Sequence, residues 1–133
     1  MGSHLSSLPN LTHEALDSLK KLLLELIKGG FLIDKIYIYG DYVRGEVTSE
    51  SNLDVVIISN NFETIEFNER ISKIHKICMK NCLHPWIEPI PLTPNEFNDL
   101  VDKWDALIEA SKHWIKVDDI SIILREKPSS QTV

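Results

Sequence analysis

Apolar residues recur at helical spacing in three stretches of the chain. Short β-branched and aromatic runs separate them, and together these predict the elements. The first helix is predicted from near Thr12, a capping residue preceded by Leu11 as a staple. Leu16, Leu19, Leu23, Leu26 and Ile27 form its buried stripe, and Gly29-Gly30 end it. Residues 35–39 read as a strand stopped by Gly40, and the polar residues 41–52 as a loop. Residues 53–58 read as a strand apolar on both faces, as a central strand would be, closed by Ser59-Asn60-Asn61. A helix over 64–83 follows, with Ile65, Ile71, Ile74, Cys78 and Cys82 near one face. Residues 86–92 read as a third strand. Pro89 and Pro91 cannot donate to a ladder, so part of it must lie at an edge or bulge. Thr93-Pro94-Asn95-Glu96 is a capping box with proline at the first helical position. The helical region after it carries Phe97, Leu100, Val101, Trp104, Leu107 and Ile108 as its stripe. Asp118-Asp119 break that pattern, and 120–124 could be a last strand. This order predicts an α/β (α+β) domain with a small mixed sheet of three to four strands flanked by helices.

Composition narrows the class. A chain of 133 residues, 43% hydrophobic and 26% charged, is expected to form one domain with short tails. Residues 1–10 read as a vector scar (Met1-Gly2-Ser3-His4) and flexible start, 11–124 as the domain, and 125–133 as a flexible tail. Net charge is −6, which argues against an extended nucleic-acid surface but not against a local nucleotide site built on metal ions. No apolar run reaches the ~18–20 residues of a membrane span. Two cysteines are too few for a disulfide framework, so the reducing cytoplasm is the expected location.

The chemistry concentrates between the first two strands. Gly40 directly follows a strand, where glycine permits close backbone approach to a ligand. Arg44 offers a planar fork suited to phosphate or carboxylate. Asn52 and Asp54 are two apart and share a face. An acid at Asp54, among apolar neighbours, must be paired or bound to metal. A salt bridge to Arg44 would meet that need without any function.

Gly40, Arg44-Gly45, Ser51, Leu53 and Asp54 fall on a spaced pattern. It resembles the minimal nucleotidyltransferase domains of the DNA polymerase β superfamily. The resemblance runs from Thr12 to about Asp118 and takes in the Val55-Val56-Ile57 run and the Gly-Gly end of the first helix. It implies a nucleoside triphosphate substrate, a two-ion Mg²⁺ site and an acceptor hydroxyl. Asp54 and Glu88 would be metal ligands and catalytic acids, with Asn52 in the place of the first acid. Gly40, Asp41, Arg44 and Ser51 would bind phosphate, Arg44 more by supporting the loop than by touching the ligand. The ions sit about 4 Å apart in such sites, one on the attacking hydroxyl and one on the triphosphate. Small family members often pair with an all-helical HEPN-domain toxin, which implies a partner chain and an antitoxin role.

Two positions depart from the family. Its serine after the glycine is Asp41 here, and the first acid of its Asp-x-Asp pair is Asn52. Asparagine ligates magnesium without charge. Either the site has decayed to a non-catalytic nucleotide-binding or protein-interaction module, or Asp41 supplies the missing charge. Asn52 could also be an engineered change. His75, Cys78, Cys82 and His84 could form a zinc set, although their spacing suits two core cysteines better. The tryptophans Trp86, Trp104 and Trp114 read as core, and His113 as a surface or helix-end residue. The leucine stripe of the first helix reads as core or a homodimer seam.

Overall fold

The computed structural model describes residues 11–125. The expected flexible start and most of the expected tail lie outside that range; Arg125, the first residue of the tail, hydrogen-bonds Ser121 Oγ at 3.1 Å. The first helix, α1 (His13–Lys28), is capped by Thr12, whose side chain accepts from Ala15 N–H. Leu16, Leu19, Leu22, Leu23 and Leu26 are buried, so the leucine stripe is core. Ile27 is 38% exposed; the helix turns it off the stripe toward solvent.

Strands β1 (Lys35–Tyr39), β2 (Leu53–Ile58), β3 (Ile87–Leu92) and β4 (Ile115–Val117) form one mixed sheet in the order β3-β2-β1-β4. β1 pairs antiparallel with β2 and β4, and β2 pairs parallel with β3. The prolines explain why β3 is an edge. Trp86 O accepts from Leu53 N–H and Leu92 O from Ser59 N–H, so even-numbered residues of β3 face β2. Pro89 and Pro91 therefore face the open edge, where a missing N–H breaks no ladder bond. Pro91 O, turned outward, accepts from Arg70 Nη1 at 3.0 Å.

Several predicted boundaries are corrected. Residues 41–44 form a short helix, α2 (Asp41–Arg44), instead of a loop, because Tyr42 and Val43 bury into the core. Ser59-Asn60-Asn61 do not simply close β2: Asn60–Phe62 is a 3-10 turn, capped by Ser59, that delivers Phe62 to full burial. The next helix, α3, runs Phe67–Lys80, shorter than 64–83. Cys82 lies past its end at φ 50 and is exposed, so it is no part of the buried face. The third helical region divides into α4 (Pro94–Leu100), with the expected capping box, and α5 (Asp105–Ser111). The extended Trp104 between them packs on the core instead of continuing the helix. Residues 120–124 are not a strand; Asp119 Oδ1 accepts from Ser121 N–H and starts a short helix, α6 (Ser121–Leu124). The last strand is β4, before the Asp118-Asp119 break.

The sheet separates two cores. Ile36, Ile38, Leu53, Val55, Ile57 and Ile87 pack with the side chains of α1, α3 and α6 on one face. Tyr37, Val56, Ile58, Ile90 and Leu92 pack with Phe97, Leu100, Trp104, Leu107 and Trp114 on the other. Arg70 clamps the edge: its guanidinium is buried, paired with Glu96 at 2.7 Å and bonded to the carbonyls of Ile65 and Pro91. Among the described residues no helix is long and apolar enough to cross a membrane.

Candidate active site

Side chains of a strand alternate between faces, and register partners on neighbouring strands share a face. The rows that carry Tyr37, Val56 and Ile90 on the second face continue to Tyr39, Asp54 and Glu88. Tyr39 is the register partner of Asp54, and Asp54 that of Glu88. Three polar side chains thus stand abreast at the end of a sheet face that is otherwise apolar. The parallel pairing of β2 with β3 is what brings Glu88 beside Asp54.

Burial pushes the Asp54 carboxyl up to about 6, with Asp41 and Glu88 adding repulsion and Arg44 opposing it. Burial, then Asp54 and Glu88, push the Tyr39 phenol well above its ordinary range, so it stays a protonated donor. Tyr39 was not singled out from sequence; the signal was its parity with Tyr37, which has no meaning until the register is known.

Gly40 leads from β1 into α2 at φ 85 and ψ −156, a region essentially reserved for glycine. A Cβ there would overlap Oδ2 of Asp54. The turn closes at Gly45, in the left-handed region at φ 75. Between them Arg44 pairs with Asp41 at 2.8 Å and with Glu46 at 3.1 Å. Arg44 is thus a loop-supporting residue, and Asp54 feels it only through space. Ser51 Oγ donates to Asp41 Oδ2 at 2.8 Å. Both oxygens of Asp41 are therefore engaged within the loop. Asn52 lies exposed just before β2.

His113 follows the end of α5, as the expected helix-end residue, and its side chain also reaches the site. Its Nε2 accepts from Gly40 N–H at 3.0 Å and lies 3.1 Å from Arg44 Nη1. No sequence signal could have found a contact spanning 73 residues.

The less favoured zinc set does not assemble among the described residues. His75 and Cys78 are on α3, while Cys82 and His84 lie beyond it and are exposed. Burial pushes the Cys78 thiol up, which disfavours the thiolate a metal needs. His75 Nε2 is buried with no hydrogen bond and lies 3.8 Å from Glu88 Oε1. A groove of about 740 Å³ between α1 and α3, rimmed by Lys73, Lys76 and Lys80, lies on the face of the sheet away from Asp54.

No curated protein matches the chain. A crystal structure of a candidate nucleotidyltransferase from Sulfolobus solfataricus is similar at a TM-score of 0.48 and 16% identity, over 73% of this chain and 79% of that one. The sequence pattern of the family described as nucleotidyltransferase domain matches residues 16–128. That match runs from the first turn of α1 through the Gly40 turn and the Asp54–Glu88 pair to beyond α6. The chain belongs to the nucleotidyltransferase domain family.

Proposed function

We propose that the protein transfers a nucleoside monophosphate from a nucleoside triphosphate to an acceptor hydroxyl, with Mg²⁺. The observation that carries this reading is the register pairing of Asp54 with Glu88 beside Asp41. Neighbouring carboxylates repel, and a cation relieves them.

The donor set suits magnesium. That ion takes oxygen ligands and is usually held by one or two carboxylates, with water and substrate phosphates completing the shell. Asp54 and Glu88 supply that share, and Asn52 can add a neutral carbonyl oxygen. Among the described residues no three His, Cys, Asp or Glu side chains gather as one metal-holding group. Asp41 does not complete a cage, because Arg44 and Ser51 hold it. Bound there, magnesium would offset the triphosphate charge and activate the acceptor hydroxyl. Glu88 takes the acceptor proton as the acceptor oxygen bonds to the α-phosphorus and pyrophosphate leaves. Gly40 N–H and Arg44 Nη1, which meet at His113 Nε2, are the donors the loop can offer a phosphate. Asn52 and Asp41, where the family has an acid and a serine, are expected to slow the reaction.

A partner HEPN-domain protein as acceptor is supported by the family resemblance alone. The engagement of both Asp41 oxygens favours a second reading, a non-catalytic nucleotide-binding or antitoxin-like module. One experiment separates these readings. The protein is incubated with α-labelled ATP or CTP and Mg²⁺, alone and with a HEPN-domain partner, beside Asp54→Asn and Glu88→Gln. Label transfer lost in both variants supports the transferase. Nucleotide binding without transfer supports the second reading, and absence of both overturns the nucleotide site.

A further inference from the structure

Two donors converge on one nitrogen of His113. Gly40 N–H reaches Nε2 at 3.0 Å, and Arg44 Nη1 reaches the same atom at 3.1 Å. A backbone amide and a guanidinium can only donate, so Nε2 is the acceptor at this point. An imidazole nitrogen has a single in-plane lone pair. Two N–H groups therefore share one acceptor, and neither bond is made fully. A phosphate oxygen has several lone pairs and a negative charge. It would satisfy both donors at the same point, and charge-assisted bonds are the stronger kind.

We propose that His113 is a displaceable plug: its Nε2 occupies the point at which a phosphate oxygen of the triphosphate docks between Gly40 N–H and Arg44. This rests on reading the site as a nucleoside triphosphate site. The ring can leave without unfolding its surroundings. Trp114, the next residue, is anchored against Tyr37 at 4.2 Å between ring centroids, and His113 N–H is bonded to Ala110 O. With the backbone held there, clearing the point calls for rotation of the His113 side chain. Arg44 keeps its pairs with Asp41 and Glu46 meanwhile, so one donor stays aimed. The plug gives the loop an internal acceptor that any ligand must outcompete. It thereby selects ligands with an anionic oxygen at this position over a bare nucleoside.

The test is calorimetric titration of the full chain with Mg·ATP, and separately with Mg²⁺ and inorganic triphosphate. Wild type is compared with His113→Ala and with His113→Gln, whose Oε1 can accept from the same two donors. His113→Ala is expected to bind about five- to tenfold more tightly than wild type, the scale of one hydrogen bond. His113→Gln is expected to stay within about threefold of wild type. ¹⁵N NMR of wild type supplies a readout that does not depend on a variant folding: saturating Mg·ATP should shift the His113 Nε2 resonance as its two bonds break. Equal or weaker binding by His113→Ala, or an unmoved Nε2 resonance at saturation, overturns the plug and leaves the nucleotide site standing. Binding by none of the three folded proteins overturns the nucleotide site and the plug together.

Discussion

The backbone of Gly40 lies against the carboxylate of Asp54, so closely that a Cβ at Gly40 would overlap Oδ2. The loop proposed to face the phosphates and the acid proposed to hold magnesium thus share one wall. Gly40→Ala must accommodate a side chain at φ 85 and displace Asp54 as well. It is expected to destabilise the fold by about 2–4 kcal/mol, combining backbone strain with a steric clash. Urea unfolding monitored by tryptophan fluorescence measures this. A loss under 1 kcal/mol would mean that the Gly40–Asp54 contact relaxes freely.

Asp54 works against stability. Its carboxyl is held at about 6, above the usual 3.8, so the folded state binds its proton more tightly than the unfolded chain does. Stability from this group is greatest at low pH and falls as pH rises from about 4 to 6. Asp54→Asn removes that slope. At pH 7 and without divalent ions, it is expected to stabilise the fold by about 1–2 kcal/mol, discounted for the partial exposure of the carboxyl, while abolishing nucleotidyl transfer. Unfolding curves at several pH values, with a transfer assay, check both outcomes.

Arg70 and Glu96 join α3 to α4 across the β3 edge, with Nη1 on Oε1 at 2.7 Å and Nη2 on Oε2 at 3.1 Å. Arg70→Ala leaves the outward Pro91 carbonyl without that donor and is expected to destabilise by about 2–4 kcal/mol. The Arg70 guanidinium holds the Glu96 carboxyl below its usual 4.5. The stability this adds is full above that value and is lost as pH falls through the lowered one. Glu96→Gln should therefore shift acid unfolding to higher pH, which circular dichroism between pH 2 and 5 would follow.

Asn52→Asp restores a charged oxygen two residues before Asp54 on the same face. It is expected to tighten Mg²⁺ binding by about tenfold, the scale of one added charged ligand, and to raise transfer in proportion. Magnesium titration in the presence of a non-hydrolysable ATP analogue measures the first effect. Unchanged affinity would mean that position 52 does not reach the ion.

Most of the fold was legible because its signals are local. Thr12, the Thr93–Glu96 box and the Gly29-Gly30 end of α1 act within one turn of themselves. Pro89 and Pro91 announced an edge because a missing N–H cannot be hidden in a central strand. What misled was equally local: residues 120–124 have strand-like composition, yet Asp119 starts a helix there and residues 115–117 supply the strand. Burial of Arg70 was unreadable because its partners Ile65, Pro91 and Glu96 lie on a bend, a strand and a helix that only the fold brings together.

The sequence by itself determined the family pattern from Gly40 to Asp54, the candidate acids Asp54 and Glu88, and the departures at Asp41 and Asn52. These follow from residue identity and spacing along one stretch of backbone. Only the tertiary structure decided that Glu88 stands beside Asp54, that Asp41 is engaged by Arg44 and Ser51, and that His113 occupies the donors of Gly40 and Arg44. Those relations depend on strand register and on contacts between distant segments. They are set when two cores close around one sheet, and no local period encodes them.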